Sequence, residues 1–149
     1  NNPQRMEYLW LKSLTFLYLF VKLKLRICIV SRIHGKTEVY EYEVVLDINT
    51  DVYPMTDEVF YKFGITKPFT IGEDDEGDYY AIDSMVTTKF KDYDYVMHGK
   101  VFRFELHPDP SIISQYISFG GLILKIKGDI KYLKELEIDS QVFMVLSAK

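Results

Sequence analysis

The sequence predicts an all-β fold, an antiparallel barrel of OB type with about eight strands and a long acidic loop. Three observations carry that expectation. Twelve Tyr and ten Phe stand beside only eight Gly and five Pro in 149 residues, and flat or β-branched side chains pack well on a pleated sheet. Stretch after stretch alternates apolar and polar residues with a period of two, the pattern of a strand with one wet face. The stretches are short and divided by turn residues, which is the spacing of a sandwich or closed barrel. At 48% hydrophobic residues the chain is too apolar to stay disordered, and its length fits one domain.

The first element is the hardest to place. Leu14 to Val21 is apolar throughout, between Lys12 and Lys22. A membrane span needs about 20 apolar residues, and the two lysines cut this run short; no small-residue cleavage site of a secretory signal follows. From Val21 the alternation is strict, with Val21, Leu23, Leu25, Ile27 and Ile29 on one face and Lys22, Lys24, Arg26 and Cys28 on the other. Residues 1–29 therefore read as a basic, apolar leader ending in a first strand, and residues 30–149 as the barrel domain.

The next strands follow the same rule. Tyr40, Tyr42, Val44, Leu46 and Ile48 alternate with Glu41, Glu43, Val45, Asp47 and Asn49; Val59, Tyr61, Phe63 and Ile65 alternate with Phe60, Lys62 and Gly64. Thr66 to Asp92 breaks the rhythm. Its run Glu73-Asp74-Asp75-Glu76-Gly77-Asp78 repels itself and favours solvent, which predicts a long exposed loop with one short strand near Met85–Thr88. Tyr93–Met97 and Lys100–Leu106, joined at His98-Gly99, predict a hairpin whose glycine supplies a positive φ. Ser114–Phe119 and Leu122–Lys127, joined at Gly120-Gly121, predict a second. Gly128-Asp129 ends that strand, the following residues IKYLKEL predict a helical turn capped by Asp129, and Val142–Leu146 is the last strand.

Charge and chemistry narrow the function. Residues 1–36 carry seven Lys and Arg against Glu7 alone, a surplus of +6, so the rest carries −10 within a total of −4. An acidic body argues against a free-standing binder of nucleic acid, whose affinity rests on cations. Lone Cys28 makes no internal disulfide and favours a reducing compartment. Asp47-Ile48-Asn49-Thr50-Asp51 with Glu58 imitates part of a calcium loop, but Val52 stands where the sharp turn needs Gly and the flanks read as strands. His34, His98 and His107 have no zinc spacing. Gly120-Gly121 lacks the Lys-Ser or Lys-Thr of a phosphate loop, and no Ser lies in a nucleophile elbow. Glu41 and Glu43 share a strand face within about 7 Å, which reads as its wet side. No catalytic residue, metal site or cofactor is expected. Lys100, Arg103, Lys125 and Lys127 interleave with Phe102, Phe104, Leu124 and Ile126, a pattern that on an OB barrel can serve single-stranded nucleic acid or simply place apolar residues inside and cations outside.

Several strings are more specific than their physics. Val30-Ser31-Arg32-Ile33-His34, Leu46-Asp47-Ile48-Asn49 and Val52-Tyr53-Pro54 resemble the opening of the eighth small subunit shared by the eukaryotic nuclear RNA polymerases I, II and III. The stretches Tyr95 to Arg103, Tyr116 to Leu122, Gly128-Asp129 and Glu137 to Phe143 continue the resemblance in family order. It runs from about Val30 to Leu146, weakens between Ile65 and Lys91, where the family also has an acidic variable loop, and fails before Val30, where the family opens on an acidic strand. The resemblance implies an eight-stranded OB-type barrel without catalysis of its own, located in the nucleus. It also implies docking chiefly on the polymerase's largest subunit within the core enzyme, while the acidic body argues against direct nucleic-acid contact and the short apolar run against a membrane. The contacts it suggests are the two glycine segments, Tyr95, Met97, Gly99 and Lys100 with Phe119, Gly120, Gly121 and Leu122. Glycines let another backbone approach closely, and flanking aromatics offer an interface anchor. The alternatives are a free-standing OB domain for single-stranded nucleic acid and a lipocalin-like barrel around an apolar ligand.

Overall fold

In a computed structural model, residues 17–27, 29–38, 40–67 and 90–148 are described. Their alternating stretches become β1 (Leu17–Ile27), β2 (Val30–Thr37), β3 (Glu43–Asn49), β4 (Phe60–Thr66), β5 (Tyr95–Leu106), β6 (Ile112–Phe119), β7 (Leu122–Asp129) and β8 (Gln141–Ala148), with a four-residue helix α1 (Ile130–Leu133) between the last two. All neighbours pair antiparallel in the order β1-β2-β3-β7-β6-β5-β8-β4. Pairing of β1 with β4, Leu17 opposite Phe63 to Phe20 opposite Phe60, closes the ring. This is the all-β barrel that the period of two implied.

The barrel is filled by the inward residues of every second position. Val44, Leu46 and Ile48 of β3, Leu124 and Ile126 of β7, Ile117 of β6 and Phe63 of β4 are buried. Each such side chain contributes about 1.5–3 kcal/mol relative to exposure. Below β7, Asp129 caps α1 by accepting from Lys131 N at 2.8 Å, as its place before IKYLKEL suggests. Gln115 fastens that helix to the barrel: its Nε2 donates to Leu133 O at 2.6 Å and Leu136 O at 3.2 Å.

β8 is buried on both faces. Val142, Met144 and Leu146 join the main core, while Phe143 and Val145 meet Phe90 in a smaller cluster outside the barrel, flanked by Tyr93 and Val96. The rings of Phe90 and Phe143 lie 5.1 Å apart, and Tyr93 stands edge-on to Phe90 at 6.3 Å. Burial, and then the charge of Asp92, push the Tyr93 hydroxyl up to about 12.

Several expectations need correction. His98-Gly99 is not a hairpin: β5 runs unbroken from Tyr95 to Leu106, and the glycine serves proximity instead. A Cβ on Gly99 would lie 2.3 Å from the backbone oxygen of Ser118 and 2.5 Å from the Phe119 ring. Gly128 does not end its strand, which continues through Asp129; a Cβ there would lie 2.0 Å from the buried Tyr42 ring. Tyr40 and Glu41 have φ of 66° and 52° and form the turn before β3, so Glu41 and Glu43 do not share a strand face. β1 begins at Leu17, and its register with β2 shifts between Leu23 and Leu25, so the strict alternation does not carry through. The acidic loop Glu73–Asp78 and the short strand near Met85–Thr88 lie outside the described residues.

Candidate functional site

The eight residues singled out from the sequence are brought together, but they are not equally accessible. β5 and β6 pair with Lys100 opposite Ser118, which sets Gly99 against Ser118–Phe119 and places the β6–β7 turn beside the middle of β5. Met97 and Phe119 are buried in the core, and Gly99 is packed against β6. Tyr95 is half-buried, its ring stacked on Tyr53 at 5.6 Å and 19°. The Tyr53 hydroxyl donates to Asp94 Oδ2 at 3.0 Å, and Ala148 N donates to the same oxygen at 3.0 Å. Burial, then that bond to Asp94, raise the Tyr53 hydroxyl well above the usual tyrosine range.

What remains at the surface is Lys100, Gly120 and Gly121, with half-buried Leu122 packed on the core beside them. Gly120 and Gly121 adopt φ of 63° and 104°, and an added Cβ at either would meet no atom within 4 Å. The turn is tied down by Gly121 N, which donates to Ser118 Oγ at 3.3 Å. On its far side Asp47 accepts from Ile123 N at 3.3 Å and from Arg32 Nε and Nη2 at 2.8 and 3.3 Å. That bidentate pair raises Arg32 above its ordinary value and occupies the Asp47 carboxylate that the sequence offered as a calcium ligand. Asn49, from the same segment, instead accepts from Asp51 N and Val52 N at 3.1 and 3.2 Å in a polar turn.

The outer face of β5, β6 and β7 holds a feature that period-two reasoning misplaced. Val101 is fully buried, so its neighbour Phe102 faces outward at 47% exposure, and the register shift between Val101 and Arg103 puts Arg103 on that same outer face. Phe102 was expected inside. Its ring lies 6.2 Å from Tyr116, and the Arg103 guanidinium and Lys125 ammonium stand 5.3 and 5.6 Å from the Tyr116 centroid. Tyr116 Oη donates to Glu105 Oε2 at 2.6 Å. That bond foremost, then Lys125, His107 and Arg103, hold Glu105 below the usual carboxylate range.

Hydrolytic chemistry finds no foothold among these groups. His107 Nε2 and Ser114 Oγ are 2.7 Å apart, but Ser114 is fully buried and no substrate carbonyl can reach it. His98 Nε2 meets Gln141 Oε1 at 3.2 Å. Among the described residues no three His, Cys, Asp or Glu side chains converge as metal ligands.

Residues 26–148 match the model of the family described as RNA polymerase Rpb8. The chain belongs to that family. It is 33% identical over 119 residues to the rpabc3 subunit of DNA-directed RNA polymerases I, II and III of Dictyostelium discoideum, covering 78% of this chain and 81% of that one. A probable subunit of the same name in Caenorhabditis briggsae is 33% identical over 123 residues, covering 78% and 80%. Subunit 8B of DNA-directed RNA polymerases II, IV and V of Arabidopsis thaliana is 30% identical over 120 residues, with the same coverage. The family model takes in β2 through β8 whole and only the end of β1, in keeping with a likeness that fades before Val30.

Proposed function

We propose that this chain is a non-catalytic structural subunit of DNA-directed RNA polymerases I, II and III, a nuclear protein that docks on the largest subunit and supports assembly of the core enzyme. The family match across residues 26–148 carries this, and the relatives named as polymerase subunits support it. A rigid barrel suits the role. It holds a preformed surface, so little conformational entropy is lost when on the order of 800 Å² per partner is covered.

Within that reading the docking surface is centred on the accessible members of the predicted set, Lys100, Gly120, Gly121 and Leu122. Tyr95, Met97, Gly99 and Phe119 act from behind by fixing the strands that present them. A turn with open space over two glycines admits a partner backbone to close range. The test is co-purification of tagged chain with polymerase from nuclear extract, comparing wild type with Lys100→Glu combined with Gly120→Asn and Gly121→Asn. Asn is chosen because it tolerates the left-handed region. A folded variant that no longer co-purifies supports the surface. A folded variant that still assembles moves docking elsewhere, and a wild-type chain that brings down no polymerase refutes the function. The Phe102–Tyr116 face favours a second reading, single-stranded nucleic acid stacked between cations, which salt-dependent oligonucleotide binding tests.

A further inference from the structure

Past Val101 the fifth strand loses one of its two neighbours. β5 pairs with β8 from Tyr95 to Lys100 and with β6 from Lys100 to Leu106. Val101 still engages both backbone groups on the β8 side, donating to Ser140 O at 3.0 Å and accepting from Asp139 N at 2.8 Å. From Phe102 to Leu106, among the described residues, no backbone hydrogen bond is made on the side away from β6. The barrel is closed, yet among the described residues this end of β5 projects beyond the closure as a five-residue open edge.

Proteins blunt such edges with lysine, proline or a bulge that hides the strand. Here the bulge leaves an aromatic ring and the following arginine side by side facing solvent. Phe102 is 47% and Leu106 80% exposed, both on the open segment. On the same face Arg103 and Lys125 flank Tyr116, and among the described residues neither comes within ion-pair distance of a carboxylate. Glu105, its carboxylate bonded to the Tyr116 hydroxyl, sets one negative charge against those two positive ones.

We infer that Phe102–Leu106 receives an extended segment of a partner polypeptide as one further strand, with a carboxylate of that segment set against Arg103 and an apolar side chain against Phe102. The proposal rests on the assembled-subunit reading and names the chemistry of the partner. Backbone decides its class, because a row of unmet N–H and C=O groups is matched in spacing by an extended polypeptide. A nucleic-acid strand would use the rings and cations and leave that row unmet. Arg103, exposed on the open strand itself, then selects an acidic segment over a basic one, as complementary charge does at interfaces generally.

Hydrogen–deuterium exchange on the full chain, free and within purified polymerase, tests this directly. The amides of Phe102–Leu106 that do not face β6 are expected to exchange at least tenfold more slowly in the assembly, while those of Ile113–Phe119, already in ladders on both sides, change little. Arg103→Glu is expected to weaken association roughly tenfold with an unchanged β spectrum. Should that variant misfold, Arg103→Gln removes the charge without reversing it and is expected to weaken association in the same direction. Unchanged exchange in a chain that still co-purifies overturns the added strand and leaves the polymerase reading standing; failure of the wild type to co-purify overturns both. Protection produced by a single-stranded oligonucleotide, and not by polymerase, overturns the polypeptide partner and assigns the face to nucleic acid.

Discussion

Gly99 and Gly128 sit within strands with a neighbour so close that a methyl group would have no room, whereas Gly120 and Gly121 sit at a turn tip with nothing nearby and a backbone that side chains rarely adopt. The two pairs look alike in the sequence. They exclude other residues for opposite reasons, one pair by crowding and the other by dihedral strain. Crowded glycines set how strands pack, and open ones set what a partner can approach.

Adding a methyl group tests the crowded pair most severely. Gly128→Ala should cost about 2–3 kcal/mol, since the Tyr42 ring is fully buried and overpacked cores displace neighbours at about that cost. Gly99→Ala should cost a similar amount, because its obstacle is the Ser118 backbone. Urea unfolding measures both, and a loss under about 1 kcal/mol at either site would show that crowding is not why glycine stands there.

Asp47 sharpens the open side of the comparison. Asp47→Ala removes the acceptor that holds Ile123 N and Arg32 near the turn and should cost about 1–2 kcal/mol, in the range of hydrogen bonds to a charged group. The Arg32 side chain is half exposed, which keeps the ion pair itself at the weak end. If stability falls but assembly persists, Asp47 supports the fold and not the docking turn.

Gly120→Ala should cost about 1 kcal/mol, the strain of a left-handed alanine, and Gly120→Asn distinctly less. An equal loss for the two would mean that space, not dihedral angle, is limiting there.

The smallest effect is expected at high pH. The Tyr93 hydroxyl titrates near 12 in the folded chain against about 10 unfolded, so the neutral form is favoured by folding. Its contribution is complete below pH 10 and is lost as pH rises from 10 through 12. Tyr93→Phe should therefore flatten the fall in the urea midpoint across that window. An unchanged slope would mean that the outer cluster around Phe90 does not exclude water from this ring.

Much of this was legible from the order of residues. Two-residue alternation found β3 and β4, the runs on either side of Gly120-Gly121 gave β6 and β7, and the apolar run Val142–Leu146 gave β8, because each has one face, or both, in a core; β2 was not read as a strand, and the capped turn at Asp129 came from an Asp before a helical run. It failed where a glycine had two possible explanations. Nothing local to His98-Gly99 distinguishes a turn from a strand pressed against Ser118, because the crowding atom belongs to a residue 19 positions later. A signal for the bulge was present: Lys100 and Arg103 are three residues apart and cannot both face water on a regular strand. That odd spacing called for an inserted residue, which lets Arg103 follow Phe102 on the outer face. For the docking residues the sequence showed which segments cluster, but only the burial of Met97 and Phe119 separates those that present a surface from those that support it.

The position of β8 in the ring has a consequence for how the chain folds. β8 lies between β4 and β5, so Thr66 must find Phe143 and Tyr95 must find Leu146 before the barrel closes. Pairings this distant along the chain delay closure, because the entropy of a long loop is lost before any contact offsets it. On a ribosome, β1 to β7 emerge first and wait with two unmatched borders until residues 141–148 follow. Throughout that interval the nascent protein is vulnerable to pairing with other chains, and a chaperone that shields strand borders would matter most then.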